Sequence, residues 1–283
     1  VRTGAGRGPL GNGGEFLNIL FIGDIVGRPG RETVRALLGD LVARHQIDFT
    51  IANGENLAGG LGITRDTARE MLEAGVEVIT TGNHIWRQRE AVALVKEEPR
   101  VLRPANYPRE CPGRGADVFA TARGTPVGVL NLVGRVFMEP LDCPFIATEE
   151  EMKSLHGKTN VVVVDVHAEA TSEKLALAWH MDGRASAVLG THTHVQTGDE
   201  RILPRGTAYL TDVGMTGPRD SVLGVSVVPV IAHFRTGMPH RFELASGPTV
   251  LNAVVVDVDE ETGTARSIRR VVEVREHEQQ QAT

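Results

Sequence analysis

Five runs of aliphatic, largely β-branched residues, set among helical patterns and each closing on a polar cluster, constrain this chain most. Asn18–Gly23 leads into Asp24, Phe49–Gly54 into Glu55 and Asn56, and Val76–Gly82 into Asn83 and His84. Val161–Val166 leads into His167, and the run at 187–189 into Thr191-His192-Thr193-His194. Such runs read as strands buried on both faces. In open α/β sheets the loops past the carboxyl ends of parallel strands converge on one crevice. The polar clusters are therefore expected in one place. His192 and His194, two apart in a segment read as extended, are expected to point the same way. A lone histidine is more often structural than a ligand, but five clusters at strand ends favour a shared metal site.

The intervening segments set the rest of the architecture. Val34, Leu37, Leu38, Leu41 and Val42 recur at the spacing of one buried helix face. Pro29 and Gly30 stand where that helix begins, so its free N–H groups and Arg28 could hold a phosphate; a solvated arginine beside a turn fits equally. Further helices are expected at about 64–73, 87–97 and 148–155, and another is expected to begin within Ala168–Lys174, with Thr171 or Ser172 as N-cap. Pro, Gly and Arg from Arg103 through Gly115 mark an irregular connection. The runs near 250–258 and 267–274 follow one another without a helix and should pair antiparallel. Residues 1–16, glycine-rich with little to bury, are expected to be a disordered extension, 17–275 a single domain, and 276–283 a frayed tail.

Composition narrows the partners. The chain has 283 residues, a net charge of −6 and a pI near 6.0, so no global basic field favours duplex nucleic acid. Aromatic residues make up only 4%, leaving few stacking platforms for long single strands. No apolar run approaches the roughly 18 residues needed to span a bilayer, so no membrane role is expected. Cys111 and Cys143 are too few for a disulfide framework and are expected as reduced thiols of a cytoplasmic protein. Self-association is left open.

Carboxylate, amide oxygen and imidazole together suit iron, manganese or zinc, and the lack of thiolate ligands argues against a structural zinc. Asp24, Glu55, Asn56, Asn83, His167, His192 and His194 outnumber the ligands of one ion. Two ions about 3.5 to 4 Å apart form the arrangement used for hydrolytic displacement at phosphorus.

The order Asp24, Glu55-Asn56, Gly82-Asn83-His84, His167 and Gly190-Thr191-His192-Thr193-His194 resembles the calcineurin-like metallophosphoesterase superfamily. The wording of Gly23–Gly30, Arg103–Pro108, Asp165–Lys174 and Thr211–Gly217 is similar to its bacterial YmdB-type branch, over nearly the whole chain after residue 17. The resemblance implies an α/β fold of two sheets packed as a β sandwich flanked by helices, a four-layer αββα arrangement. It implies a dinuclear phosphodiesterase acting on cyclic nucleotides, with 2′,3′-cyclic nucleotides favoured, through attack of a metal-bound hydroxide on phosphorus. Carried onto this chain, Asp24, Glu55 and His194, with Asn56 nearby, hold one metal, while Glu55 bridges to a second held by Asn83, His167 and His192. Iron is the first choice of metal and manganese the second. Two departures stand out: Val26 occupies the place of a usual histidine ligand, and Glu55 that of a usual bridging aspartate. His84 follows a ligand and is assigned to protonating the leaving oxygen or steadying a phosphoryl oxygen. The alternatives are a phosphomonoesterase or protein phosphatase on the same metals, and a regulatory protein that binds a nucleotide without turnover.

Overall fold

The computed structural model of the chain describes residues 16–276. In chain order the first half runs β1 (Phe16–Ile22), β2 (Asp24–Ile25), α1 (Gly27–His45), β3 (Phe49–Asn53), α2 (Arg65–Glu73), β4 (Val78–Thr80), a 3-10 turn (Ile85–Arg87), α3 (Ala91–Glu97), β5 (Ala116–Ala120) and β6 (Pro126–Val133). The second half runs α4 (Pro144–His156), β7 (Val162–His167), α5 (Thr171–Met181), β8 (Ala187–Thr191), β9 (Arg201–Ile202), β10 (Ala208–Leu210), β11 (Met215–Pro218), α6 (Val227–Thr236), β12 (Thr249–Asp259) and β13 (Ala265–Arg275).

The strands form two sheets. One has the order β2-β11-β12-β1-β3-β4 with β13 on β12; the other has the order β5-β6-β7-β8-β10-β9. Side-chain alternation along each strand explains why they stack. Leu17, Ile19 and Phe21 of β1 join Phe49, Ile51, Val129, Val163 and Leu189 in a cluster between the sheets. Leu20 and Ile22 instead meet Val34, Leu38 and Leu41 of α1 and Met71 of α2. On the far side Val162, Val164 and Val166 of β7 pack on Met152 and Leu155 of α4 and Leu177 and Met181 of α5. Both faces of the central strands are buried, which is what their unbroken β-branched runs require, and the layers are helix, sheet, sheet, helix.

Register carries the site. β1, β3 and β4 are mutually parallel, as are β6, β7, β8 and β10, so within each sheet the carboxyl ends lie along one edge. The pair β12–β13 is antiparallel as expected.

Several local expectations change. The boundary drawn at residue 17 falls one residue inside β1, where Phe16 pairs with Asp259 and the Arg266 guanidinium sits 3.1 Å over its ring. The rest of the proposed extension, and residues 277–283 of the tail, lie outside the described residues. Neither Thr171 nor Ser172 caps α5; Ala170 is the cap residue and makes no side-chain bond. In the first turn of the helix, Glu173 instead accepts the backbone N–H groups of Arg135 and Val136. The helix expected at 87–97 splits into the 3-10 turn and α3, and α4 begins at Pro144 rather than 148, with proline in its first turn where a missing N–H costs nothing. Arg28 holds Glu32 at 2.6 Å with most of its side chain in water, so it is a solvated arginine and no phosphate clamp.

Candidate metal centre

The two sheets meet along the edge where their strands end, and the polar clusters meet there too. Asp24 opens β2, Glu55 and Asn56 follow β3, and Asn83 and His84 follow β4, all from the first sheet. His167 ends β7 and His192 and His194 follow β8, from the second. Nε2 of His167 lies 3.1 Å from Glu55 Oε1, 3.2 Å from Asn83 Oδ1 and 3.0 Å from His192 Nδ1. Asp24 Oδ1 is 3.8 Å from both His167 Nδ1 and His194 Nε2. Asp24, Glu55 and His167 are almost completely buried. Close approach is enforced at Gly82, where a Cβ would collide with the His167 ring and the Glu55 carboxylate.

Hydrogen bonds on the far side of each ring fix which nitrogen faces inward. Thr191 donates its hydroxyl to Asp165 Oδ1 at 2.7 Å, so at 2.8 Å it can only accept from His167 Nδ1–H. His192 Nε2 faces Glu169 Oε2 at 3.1 Å, and His194 Nδ1–H donates to the Leu223 carbonyl at 3.2 Å. Each imidazole therefore turns its other nitrogen toward the centre, the orientation that outer partners impose on metal-binding histidines. Glu55 Oε1, Asn83 Oδ1 and His192 Nδ1 then crowd His167 Nε2 as acceptors, and one proton on His167 can satisfy only part of this set. Metal–ligand bonds of about 2.0 to 2.2 Å place neighbouring ligand atoms roughly 3 Å apart, as found here. Asp24 Oδ1 is buried without a hydrogen-bond partner among the described residues. The donor set fits a cation, and Glu55, His167 and His192 form a group able to hold one.

Electrostatics follow the same geometry. Burial disfavours the His167 cation, but the charge and hydrogen bond of Glu55, then Asp24 and Asp165, push it up to about 9. Burial also works against the Glu55 carboxylate, yet His167 and then His84 hold it well below the usual range. His192 is pushed down to about 3 by burial and then by the charge of His167. Burial raises Asp24, with His194 and His167 opposing.

Behind the centre, Asp165 ties the sheets together. Its Oδ2 accepts from Asn53 at 2.9 Å and Thr80 at 2.5 Å in the first sheet, while Oδ1 accepts from Thr191 in the second. Burial pushes Asp165 up to about 6 against His167 and these three donors. A second buried group holds the His192–His194 loop: Lys174 Nζ meets Asp212 Oδ2 at 2.7 Å, and the same oxygen accepts the Thr193 hydroxyl and backbone N–H. Sequence reasoning passed over Asp165, Asp212 and Lys174 as working residues. The available signal was a carboxylate inside an apolar run, as in Val-Val-Val-Asp-Val at 162–166.

The histidine pair converges by another route than expected. β8 ends at Thr191, and His192 and His194 have φ of 98° and 66°, left-handed conformations rather than extended ones. Such backbone costs on the order of 1–3 kcal/mol per residue and persists only where surrounding contacts hold it. Asn56 is also present, but its Nδ2 faces Glu55 Oε1 at 3.1 Å and His194 Nε2 at 3.3 Å, and its Oδ1 faces His84 Nδ1 at 2.9 Å. His84 is partly exposed and has Glu55 Oε1 3.2 Å from the same Nδ1. These groups open into a cleft of about 350 Å³ whose further lining includes Val26, Glu169, Leu223, Val225 and Leu244.

The profile of the YmdB-like protein family matches residues 20–271, a span that holds every residue of this centre. The chain belongs to the YmdB-like family. It is 48% identical over 256 residues to the 2′,3′-cyclic-nucleotide 2′-phosphodiesterase of Bacillus subtilis, covering 90% of this chain and 97% of that one. It is 36% identical over 253 residues to a putative phosphatase/phosphodiesterase of Mycoplasma pneumoniae, covering 87% and 89%. The crystal structure of a hypothetical protein from Thermus thermophilus superposes with TM-score 0.85 at 44% identity, over 91% of this chain and 99% of the other. That of a novel phosphatase from Mycoplasma pneumoniae gives 0.86 at 34%, over 93% and 95%. The YmdB-like α/β fold of two sheets between helices is thus shared with solved relatives. Among the described residues no helix is long and apolar enough to cross a membrane.

Proposed function

We propose that this protein is a metal-dependent phosphodiesterase that hydrolyses cyclic nucleotides, with 2′,3′-cyclic nucleotides the favoured class. The observation that carries this reading is the set of acceptor atoms 3.0–3.2 Å around buried His167 Nε2, two of whose residues, Glu55 and His192, also line a cleft sized for one small molecule. The relative from Bacillus subtilis bears that activity in its name. Asp24, Glu55 and His194, with Asn56 beside them, would hold one ion, and Glu55, Asn83, His167 and His192 a second, iron before manganese. Bound there, the two cations supply water activation and neutralise charge on the phosphoryl oxygens.

The chain's own groups do the rest. Thr191, Glu169 and the Leu223 carbonyl orient the three imidazoles, and the Lys174–Asp212 pair holds the loop that carries two of them. His84 keeps Nδ1 on Asn56 and Glu55, which leaves Nε2 for the substrate; protonated there, it can donate to the departing ribose oxygen. A cleft of about 350 Å³ supports a substrate of mononucleotide size. Two free thiols, Cys111 and Cys143, support a reducing, cytoplasmic setting.

Elemental analysis of the purified protein, with turnover measured on 2′,3′-cyclic AMP, 3′,5′-cyclic AMP and simple phosphomonoesters, tests the reading. About two ions per chain and a preference for the 2′,3′-cyclic ester are expected. A preference for monoesters would make the protein a phosphomonoesterase.

A further inference from the structure

One wall of the cleft contrasts with its polar floor. It is built from Val26, Leu223, Val225 and Leu244, none of whose side chains can hydrogen-bond. Leu223 and Gly224 form a two-residue turn closed by reciprocal bonds between Val222 and Val225, at 2.8 and 3.0 Å. Both central residues have positive φ, 52° and 96°. Turns of this kind take Asn, Asp or Gly at the first central position, and leucine is a poor choice there. Leu223 nevertheless holds that conformation, is 48% exposed and lines the cleft. The turn is braced underneath: Ser226 N–H bonds Glu243 O, Ala245 N–H bonds Gly224 O, and Gly224 packs on Val26. A strained residue that is braced, half-exposed and aimed into a cleft is placed for a ligand. The Leu223 carbonyl anchors His194, so the wall keeps a fixed position relative to the metal centre.

We propose that this aliphatic wall is a nucleobase subsite, with Leu223, Val225 and Leu244 covering one face of the base of a nucleoside phosphodiester whose phosphorus lies over the floor. The inference rests on the phosphodiesterase reading and names how that site selects its substrate. Because the wall's side chains carry no donor or acceptor, bases are ranked by the apolar area they cover and not by their hydrogen-bonding edges. Adenine and guanine esters should be matched with each other and ahead of cytosine and uracil.

The test compares the metal-loaded wild type with Leu223→Gly and Leu223→Asn, both suited to left-handed backbone, so that the turn and its carbonyl survive. The substrates are the 2′,3′-cyclic esters of adenosine, guanosine and cytidine, and 1-O-methylribose 2,3-cyclic phosphate, which has no base. In the wild type kcat/KM should favour the purine esters over the baseless one by about five- to twenty-fold, through KM, the worth of covering part of one aliphatic side chain. In both variants that ratio should fall towards one with metal content unchanged. Calorimetric binding of adenosine 3′-monophosphate against inorganic phosphate, in the same proteins, reads the wall without turnover. If cyclic esters are hydrolysed but the variants keep the wild-type ratio, the subsite is wrong. If no cyclic ester is turned over yet the nucleotide's advantage over phosphate vanishes in the variants, the wall stands and the reaction assignment falls. Equal losses on baseless and purine esters would overturn the proposal and assign Leu223 to positioning His194.

Discussion

His167 stands where the two sheets meet and the proposed metal-holding residues converge, and substitutions there separate the roles of its neighbours. On the proposed assignment, His167→Ala or Asn83→Ala should lose one of two metals, measured as metal per chain after desalting, while Glu55→Ala, the proposed bridge, should lose both. Two ions retained in His167→Ala would reject the assignment. His84 is tested by leaving-group chemistry. A ribose alkoxide needs a proton and a nitrophenolate hardly does, so His84→Ala should lower turnover of 2′,3′-cyclic AMP by roughly 10² to 10⁴ and that of bis(p-nitrophenyl) phosphate far less. Equal losses would point to electrostatic positioning instead. The ring of acceptors also gives the metal-free protein a pH signature. His167 binds its proton more tightly folded, at about 9, than at histidine's ordinary value near 6.5. That contribution is complete below about pH 6.5 and is lost as pH rises through about 9. The Tm of chelator-treated protein should therefore fall across this window, and a flat profile there would contradict the proton's place.

At the level of elements, the α5–β8–β10 unit is the scaffold for the histidine loop. Lys174 lies on α5 and Asp212 just past β10, and their buried pair clamps Thr193 between the two histidines. Lys174→Met leaves a buried carboxylate unpaired, so a loss of about 3–5 kcal/mol is expected by urea unfolding. A loss below about 1 kcal/mol would show that Asp212 is satisfied by Thr193 and Gly214 alone. This element also shows where reading from sequence stops. The strand ends at Asp24, Glu55, Asn83 and His167 were legible because β-branched runs and the residue types closing them are local facts. The left-handed backbone at His192 and His194 was not, since it is imposed by Asp212 and Leu223, which lie well further along the chain. Helix α6 was missed for a related reason: only Val230 is buried, so its apolar residues mark no single core-facing stripe. The turn at Leu223 carried no sequence signal, because leucine is a residue that such turns normally exclude.

At the level of the whole molecule, two stacked sheets bury each other's inner faces, and a polar seam closes their common edge. The four-layer order could be expected from resemblance, while side-chain alternation in β1 and β7 supplies its physical reason. That the metal-facing residues come from both sheets has a consequence in time. The first of them is residue 24 and the last residue 194, so the set is complete only when segments far apart in the chain have docked. Contacts of that range form late and slowly. A cation then finds no assembled set on the unfolded chain and cannot template it; it latches a structure that is already made. Refolding rates with and without added metal should coincide, while unfolding slows as the ion occupies its place, the behaviour of an interaction absent from the transition state. Stopped-flow refolding accelerated by metal would show that one half of the seam forms early by itself.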